Sequence, residues 1–337
     1  MNLITGATGI VGAHVALQLL QQNKTVVAIK RQSSDISKTK KLFSYYTDDA
    51  EALFQKIKWV DANVCDIYSL LDALEGIETV YHCAGFVSFN SKDNKAMHRV
   101  NSEGTANLVN ACLEKNIKAL CHVSSIATLQ NPDIKTNIDE SVYWKSSPTA
   151  SDYAISKYNG EREVWRGSEE GLNVVIVNPG IILSPGFWTQ SSGKLIQTCY
   201  NGNPFYTNGT GASIDAKDVA KCMLKLVEAK QFSKRFVLIE NNYSFKHILS
   251  LLHKEFGRKA PYIEAGKMTM TIGRCLDGIR SVFSNKEQLI TKETVEAGLD
   301  RNSYSNERIK KTLNYKFTPL EETVRFISRS YLNDIKN

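Results

Sequence analysis

Three glycines near the start of the chain constrain its fold more than any other feature. A short apolar run over residues 1–5 leads into Gly6, Gly9 and Gly12, and a helical pattern over 10–20 follows at once. In such a turn the first glycine permits the sharp bend, the second lets backbone approach a pyrophosphate, and the third lets helix pack close on strand. The helix N-terminus then holds negative charge. The sequence predicts a dinucleotide-binding turn with contacts from Thr5, Gly6, Thr8, Gly9, Ile10 and Gly12.

Strand patterns alternate with helical patterns through the first half of the chain, over residues 25–29, 58–60, 79–85, 119–123 and 172–177. This alternation predicts an α/β fold with a doubly wound parallel sheet. We expect an NAD(P)-binding Rossmann domain over 1–183 and a smaller, mainly helical substrate-binding region over 184–337. Residues 212–240 are expected to pack back on the first domain.

Two cations follow the second strand pattern. Lys30 and Arg31 stand where an enzyme specific for NAD carries an acidic residue for the ribose 2′-hydroxyl, and no acid occurs before Asp35. A cation at this position accommodates the 2′-phosphate of NADP. The pair therefore favours NADP(H), with NAD(H) as the alternative.

Further cofactor contacts are expected where later strands end. Asp66 and Ile67 follow the third strand and are expected near the adenine ring. The fourth strand ends in Cys83, Ala84 and Gly85, whose small side chains would let a cofactor lie against the backbone.

A tyrosine and a lysine four residues apart carry the candidate chemistry. Tyr153 and Lys157 lie in a helical pattern, so they share one face of a helix. A neighbouring ammonium lowers the pKa of a phenol, which would make Tyr153 a general acid or base beside a carbonyl that receives hydride. Ser125, at the end of the fifth strand, is placed to hold the substrate oxygen.

The amino-acid composition limits which classes of protein and which partners are compatible with this chain. Apolar residues make up 42% and charged residues 23% of the 337, as in an ordinary globular protein. The net charge of +7 is scattered, which does not favour nucleic acid or a membrane surface as partner. Seven isolated cysteines favour reduced thiols in a cytoplasmic protein, with no metal site. No secretory signal and no membrane-spanning run is evident.

Together these motifs resemble the extended short-chain dehydrogenase/reductases of the NAD(P)-dependent epimerase/dehydratase superfamily, and within it the branch of dihydroflavonol 4-reductase and 3β-hydroxysteroid dehydrogenase. The resemblance spans nearly the whole chain. It rests on residues 5–12, 28–31, 66, 81–85, 100–105, 123–125, 153–157, 177–180 and 214–220.

The resemblance implies roles for particular residues. Ser125, Tyr153 and Lys157 would form a catalytic triad, and Lys157 would also bind the nicotinamide ribose. Asn101 would join the proton relay, Ala84 and Gly85 would line the cofactor, and the nicotinamide would be bordered by Asn178, Pro179 and Gly180. Gly180 and Ser184 depart from the family pattern, which commonly has serine or threonine and glycine there. Family members often dimerise, so a homodimer is expected, with a monomer as the alternative.

The region after Ser184 appears irregular, followed by helical patterns over 216–229, 244–256 and 320–332 and a strand pattern over 235–239. In family members this region selects the substrate. We assign substrate contacts to Phe86, Ser88 and Trp188, with Val87, Phe89 and Tyr206 as further apolar walls. Residues 267–283 form an amphipathic pattern, for which core packing is favoured over a partner or membrane.

The leading hypothesis is an NADP(H)-dependent oxidoreductase that interconverts a ketone or aldehyde and an alcohol on a bulky small molecule. A nucleotide-sugar epimerase with tightly bound NAD is the first alternative, which the cations at 30 and 31 disfavour. A dehydratase would have acidic residues where this chain has Ile126 and Ala127. A non-catalytic NADPH sensor would typically lack the tyrosine and lysine.

Overall fold

The computed structural model describes residues 1–88, 90–148, 150–271, 273, 277 and 291–336. The strands are β1 (Asn2–Thr5), β2 (Val26–Lys30), β3 (Lys58–Asp61), β4 (Thr79–His82), β5 (Ala119–Val123), β6 (Val174–Pro179), β7 (Ile181–Leu183), β8 (Phe205–Tyr206), β9 (Thr210–Asp215), β10 (Lys234–Leu238), β11 (Asn241–Ser244) and β12 (Ile263–Glu264). The described helices with defined ends are α1 (Ile10–Gln21), α2 (Ser37–Ser44), α3 (Ala50–Gln55), α4 (Ile67–Ala73), α5 (Asn94–His98), α6 (Gly104–Glu114), α7 (Asp152–Glu169), α8 (Ser191–Tyr200), α9 (Ala216–Glu228), α10 (Phe245–Glu255), α11 (Lys292–Leu299), α12 (Glu307–Leu313) and α13 (Leu320–Asp334).

Seven strands form the central sheet, in the order β10-β6-β5-β4-β1-β2-β3. Every neighbouring pair in it is parallel. The strand order reverses between β1 and β4, where parallel α/β sheets leave a crevice for a ligand at the carboxyl ends of the strands. The predicted doubly wound parallel sheet is confirmed.

Helices cover both faces of this sheet because successive side chains of a buried strand point to opposite sides. Ile4 enters the apolar layer beneath α1 and α9, whereas its neighbour Leu3 enters the layer beneath α4, α6 and α7. β10 and α9 come late in the chain, and they complete this sheet and the layer over α1. A domain boundary at residue 183 stays a prediction.

The apolar pattern over residues 94–115, with Val100, Val109 and Leu113, predicts one helix, but the structure interrupts it. The structure has α5, then a π-helical turn over Arg99–Glu103, and then α6. A π-helical turn inserts an extra residue into the helical repeat and is frequent at functional sites. Here it contains Asn101, whose buried side chain faces the ends of β4 and α7.

The region after Ser184 is more regular than its sequence suggests. It contains α8, and β7, β9 and β11 form a second sheet in the order β11-β9-β7. β8 and β12 pair as two-residue strands. The expectation of an irregular segment there was wrong, although the C-terminal region is mainly helical as predicted. Such short strands leave no periodicity that a sequence pattern could show.

Two aspartates join α9 to the C-terminal segment. Asp215 accepts the Lys217 backbone N–H at 2.7 Å, which caps α9, and the Thr323 hydroxyl of α13 at 3.0 Å. Asp218 accepts the Tyr315 hydroxyl at 2.9 Å and the Thr318 backbone N–H at 2.6 Å. These carboxylates thus hold the segment over residues 315–323 against α9.

Within the described residues, no helix combines the length and apolar character required to span a bilayer. In the same part of the chain no group of metal-ligating side chains comes together, and the six cysteines found there are free thiols. Cys275, and most of the amphipathic pattern predicted over 267–283, lie outside the described residues.

Candidate active site

The glycine turn has the close backbone approach that the sequence predicts. Gly6 has a φ of +70°, and a Cβ there would lie 2.6 Å from the Ala84 backbone nitrogen. A Cβ on Gly12 would lie 2.3 Å from the Gly6 carbonyl oxygen, so α1 packs directly on the turn. Gly9 precedes α1 without a side-chain cap, which leaves the first N–H groups of the helix open to a phosphate. A tightly packed glycine turn beneath an uncapped helix N-terminus fits the pyrophosphate of a dinucleotide.

A buried chain of hydrogen bonds connects this turn to the π-helical turn. Thr105 donates its hydroxyl proton to the Asn101 carbonyl at 2.7 Å, so its oxygen must accept from His82 Nε2 at 3.0 Å. Burial lowers the pKa of His82 to about 3, so the ring is neutral and has one proton. Its Nδ1 therefore accepts the Thr5 hydroxyl at 2.7 Å, and Thr5 accepts the Ala84 N–H at 3.0 Å. Each donor in this series of hydrogen bonds has one defined acceptor.

The end of β4 lies between the glycine turn and the candidate lysine. A Cβ on Gly85 would lie 3.5 Å from Asn101 Oδ1 and 3.9 Å from Lys157 Nζ. Asn101 also bonds both backbone polar groups of Phe86, at 2.8 and 2.9 Å, and the Ser156 hydroxyl at 3.0 Å. Both polar atoms of the Asn101 side-chain amide therefore hydrogen-bond the backbone of Phe86. The implied role in a proton relay stays a prediction.

Tyr153 and Lys157 occupy the first two turns of α7. The Ser151 hydroxyl caps this helix by accepting the Ala154 N–H at 3.1 Å, which fixes where α7 begins. Burial raises the pKa of the Tyr153 phenol above its ordinary value, and a hydrogen bond from the Ser125 side chain lowers it by less. The pKa of the Tyr153 phenol is therefore raised, whereas the sequence predicts that Lys157 lowers it. The structure therefore brings Ser125 to Tyr153, with desolvation as the larger effect on the phenol.

Lys157 is almost fully buried and donates to the Val123 carbonyl at 2.7 Å, at the end of β5. Burial lowers the pKa of its ammonium to about 8, although nearby Glu161 and Cys83 act in the opposite direction. Because the lowered value lies near neutral pH, small changes in the surroundings alter the charge of this side chain there.

The two cations after β2 have different surroundings. Lys30 forms an ion pair with Asp61, at the end of β3, with 2.5 Å between Nζ and Oδ1. Arg31 is exposed, and among the described residues no ion pair engages its guanidinium. Arg31 is therefore the cation that remains available to a phosphate, whereas Lys30 is committed to Asp61.

The other predicted cofactor residues lie after β3, at the start of α4, and at the end of β6. Asp66 caps α4 by accepting the Tyr68 N–H at 3.1 Å, and Ile67 begins that helix. Asn178 is fully buried, and its amide points into the protein, 2.9 Å from a Glu161 oxygen. A Cβ on Gly180 would lie 2.2 Å from the Ala212 carbonyl, so the close approach of β9 requires this departure from the family pattern.

The three predicted substrate residues lie in different places. Ser88 lines a small cavity, together with Asn94, Ser151, Asp152, Tyr153 and Glu293. Phe86 begins the segment that leads to it. Trp188 instead packs edge-on against Tyr331 of α13, and its Nε1 donates to Asp334 at 2.8 Å. The structure thus brings Ser88 to Tyr153 and places Trp188 at the C-terminal helix. Phe89 lies outside the described residues.

Sequence reasoning missed two carboxylates at this site. Glu293 reaches the cavity from α11, and Glu161 lies buried one turn beyond Lys157. Nothing in the local sequence around Glu293 indicates this position, because the fold alone brings it there. The four-residue spacing from Lys157 to Glu161 could have indicated the second one.

A Rossmann-type sheet with this glycine turn, and with a serine, tyrosine and lysine at the strand ends, defines a class of nucleotide-dependent enzymes. The family model described as the NAD dependent epimerase/dehydratase family matches residues 2–238. The chain belongs to this family and is an NAD(P)-dependent oxidoreductase of the extended short-chain dehydrogenase/reductase type.

Curated relatives include reductases. Sterol demethylase protein B of Methylococcus capsulatus is 28% identical over 265 residues, covering 77% of this chain and 76% of the relative. Cinnamoyl-CoA reductase 1 of Petunia hybrida is 26% identical over 265 residues, covering 75% and 76%. Among solved structures, that of gox2253 has a TM-score of 0.80 at 23% identity and covers 99% of this chain and 98% of its own. The last likeness shows the fold alone.

Proposed function

We propose that this protein is an NADP(H)-dependent oxidoreductase that interconverts a ketone or aldehyde and an alcohol on a bulky small molecule. The observation that carries the proposal is the meeting of Ser125, Tyr153 and Lys157 at the strand ends beside Gly85 and the glycine turn. The nicotinamide cofactor supplies or accepts the hydride when bound. All other steps belong to side chains of this chain.

Tyr153 moves the proton in this proposal. A pKa above the ordinary tyrosine value keeps its phenol protonated through neutral pH, so the hydroxyl can donate to a carbonyl oxygen as hydride adds to the carbon. Ser125 hydrogen-bonds the phenol and orients it, and its single hydroxyl proton would turn to the substrate oxygen when substrate binds. The protonated phenol is the form that reduction requires, whereas oxidation requires the phenolate.

Lys157 contributes a positive charge below its pKa of about 8. In the charged form it would stabilise the phenolate that remains after proton transfer, and it would hold the ribose of the cofactor. Its bond to the Val123 carbonyl orients the side chain toward the strand ends. We expect the reductase activity to fall as pH rises through about 8, where the ammonium is lost.

Arg31 supports the preference for NADP(H). We expect Arg31→Glu to weaken NADPH binding by about 10- to 100-fold while NADH binding changes little, because the substitution replaces a partner of the 2′-phosphate with a like charge. The measurement is a parallel titration with NADPH and NADH, followed by energy transfer from tryptophan to the nicotinamide. Lys24→Glu makes the same charge change at the other end of β2 and serves as control. Equal weakening of both cofactors by Arg31→Glu would contradict this role.

The cavity beside Tyr153 bears on the class of substrate. Asp152 and Glu293 are carboxylates that line it, and a diphosphate placed there would meet like charge. An uncharged substrate suits these surroundings better, which supports an uncharged ketone or aldehyde over a nucleotide sugar. The reductase names among the curated relatives favour reduction over epimerisation.

The deciding experiment is the cofactor titration on the purified wild-type protein, followed by a panel of bulky ketones, aldehydes and nucleotide sugars. Preference for NADPH with reduction of carbonyl compounds would support the proposal. NAD already bound on purification, with turnover of a nucleotide sugar, would establish the epimerase alternative. Binding of NADPH without turnover of any compound, in a protein whose Tyr153→Phe variant behaves identically, would favour the sensor alternative.

Two further proposals concern the protein as a whole. We propose that it acts in the cytoplasm, since free thiols such as those of Cys65 and Cys83 suit a reducing compartment. We also propose that it forms a homodimer, as members of the family often do. Sedimentation at micromolar concentration would distinguish the dimer from a monomer.

A further inference from the structure

Glu161 is a buried carboxylate that the proposed chemistry does not use, yet it lies at the centre of the candidate site. Its side chain is 2% exposed. Five donors surround its two oxygens, namely Ser124 Oγ at 2.5 Å, Thr128 Oγ1 at 2.8 Å, Asn178 Nδ2 at 2.9 Å, Arg235 Nη1 at 3.1 Å and Trp165 Nε1 at 3.3 Å. A carboxylate can accept all five, whereas a neutral amide of the same shape would have to turn its own N–H groups toward some of them.

Three of these donors surround Ser125. Ser124 precedes it, and Thr128 and Asn178 both lie within hydrogen-bonding distance of its carbonyl oxygen, at 2.9 and 3.1 Å. Ser125 in turn hydrogen-bonds Tyr153. The carboxylate of Glu161 therefore reaches the backbone of Ser125 through neighbours on both β6 and the turn after β5.

Arg235 holds Glu161 from the opposite side. Its guanidinium is largely buried, and besides Glu161 it bonds the carbonyl oxygens of Glu140 and Val142, at 3.1 and 2.6 Å. The ion pair thus also ties the loop before α7 to β10. A buried pair of this kind is costly to desolvate and depends on its full set of hydrogen bonds.

We propose that Glu161 is a positioning residue, whose carboxylate joins the ends of β5 and β6 to α7, fixes Ser125 opposite Tyr153, and places a negative charge one turn from Lys157. This rests on the proposed function for what the positioned residues do. The hydrogen bonds that fix the position of Glu161 do not depend on the proposed function.

The charge of Glu161 acts on Lys157 against the effect of burial. Glu161 on the same helix and Cys83 on β4 raise the pKa of Lys157, which burial lowers to about 8. Two other titratable rings near this lysine, His82 on β4 and His122 on β5, have lowered pKa values because of burial, and the Lys157 charge lowers both further. Among the described neighbours of Lys157, Glu161 is thus the carboxylate whose charge favours the ammonium form.

The test measures the titration of Lys157 itself, by NMR of the full chain labelled with ¹³C at lysine Cε. The signal is assigned by its loss in Lys157→Met. We expect Glu161→Gln to move the Lys157 midpoint to lower pH by on the order of one unit, because the neighbouring negative charge is lost. Glu163→Gln is the matched control, since Glu163 lies on the same helix and bonds Arg166 at 2.8 Å on the surface. It should leave the midpoint unchanged.

A second variant keeps the proposal testable if Glu161→Gln does not fold. Arg235→Met leaves Glu161 in place and removes its counter-ion, so we expect the Lys157 midpoint to move to higher pH. A folded Glu161→Gln with an unchanged midpoint would overturn the proposal, and so would an unchanged midpoint in Arg235→Met. No substrate is needed. A negative result here is therefore distinct from failure to reduce any carbonyl compound.

Where a substrate is found, the same variant gives a second readout. Glu161→Gln should lower kcat by about tenfold or more with KM for the cofactor nearly unchanged, and its activity should fall at lower pH than that of the wild type. A uniform loss of activity at every pH would indicate a merely structural role and would overturn the positioning proposal.

Discussion

Tyr153→Phe should reduce turnover by about 100- to 10,000-fold while the protein folds and binds NADPH as the wild type does. The reason is that the substitution removes only the phenol oxygen, which the proposed mechanism uses as proton donor, and general acid catalysis typically contributes a factor of that size. The ring remains to pack at the start of α7. Steady-state kinetics, NADPH titration and thermal denaturation together measure the three quantities.

The neighbouring Tyr158 provides the control. It lies on the same helix, and its ring stacks on Trp144 with centroids 4.7 Å apart. Tyr158→Phe removes a hydroxyl in the same helix and should leave turnover within about threefold. Full activity in Tyr153→Phe would remove this residue from the mechanism.

Gly12→Ala should destabilise the protein by on the order of 3 kcal/mol or abolish NADPH binding. In an ordinary helix interior the same substitution stabilises by about 1 kcal/mol, because alanine has the higher helix propensity. Here the added Cβ would lie 2.3 Å from the Gly6 carbonyl oxygen and 2.9 Å from Ala7 Cα, so α1 must move away from the turn. Thermal denaturation and NADPH titration give the two effects separately.

A second helical glycine tests whether the close contact is the cause. Gly298 lies in α11, and a Cβ there would lie 3.4 Å from Thr207 Cγ2, an ordinary contact distance. Gly298→Ala should therefore change the free energy of unfolding by no more than about 1 kcal/mol. If Gly12→Ala were as stable as Gly298→Ala and bound NADPH, α1 would not lie as close to the turn as the structure has it.

Local sequence patterns predicted those parts of the fold that depend on neighbouring residues. The glycine turn needs residues within one strand–turn–helix unit, and the pairing of Tyr153 with Lys157 needs one helical repeat. Both motifs are therefore visible in the sequence. The parallel sheet followed from the alternation of strands and helices, because such strands have few other ways to be connected.

Contacts between distant segments could not be predicted in this way. The ion pair of Lys30 with Asp61 depends on β2 and β3 being neighbours, and it leaves Arg31 as the cation open to a phosphate. Glu293 reaches the cavity beside Tyr153 only because the C-terminal region folds back over the sheet. The direction of the Tyr153 pKa was also missed, since burial cannot be read from a four-residue spacing.

The position of β10 has a consequence for how the chain folds as it is synthesised. β10 pairs with β6 along Lys234–Leu238, and α9 just before it covers α1. Until that stretch has left the ribosome, β6 presents an open edge and the first helix an uncovered apolar face. Unpaired strand edges and exposed apolar surface promote aggregation, and chaperones bind such surfaces. The nascent protein therefore passes through a vulnerable stage that ends only when its late strand closes the sheet.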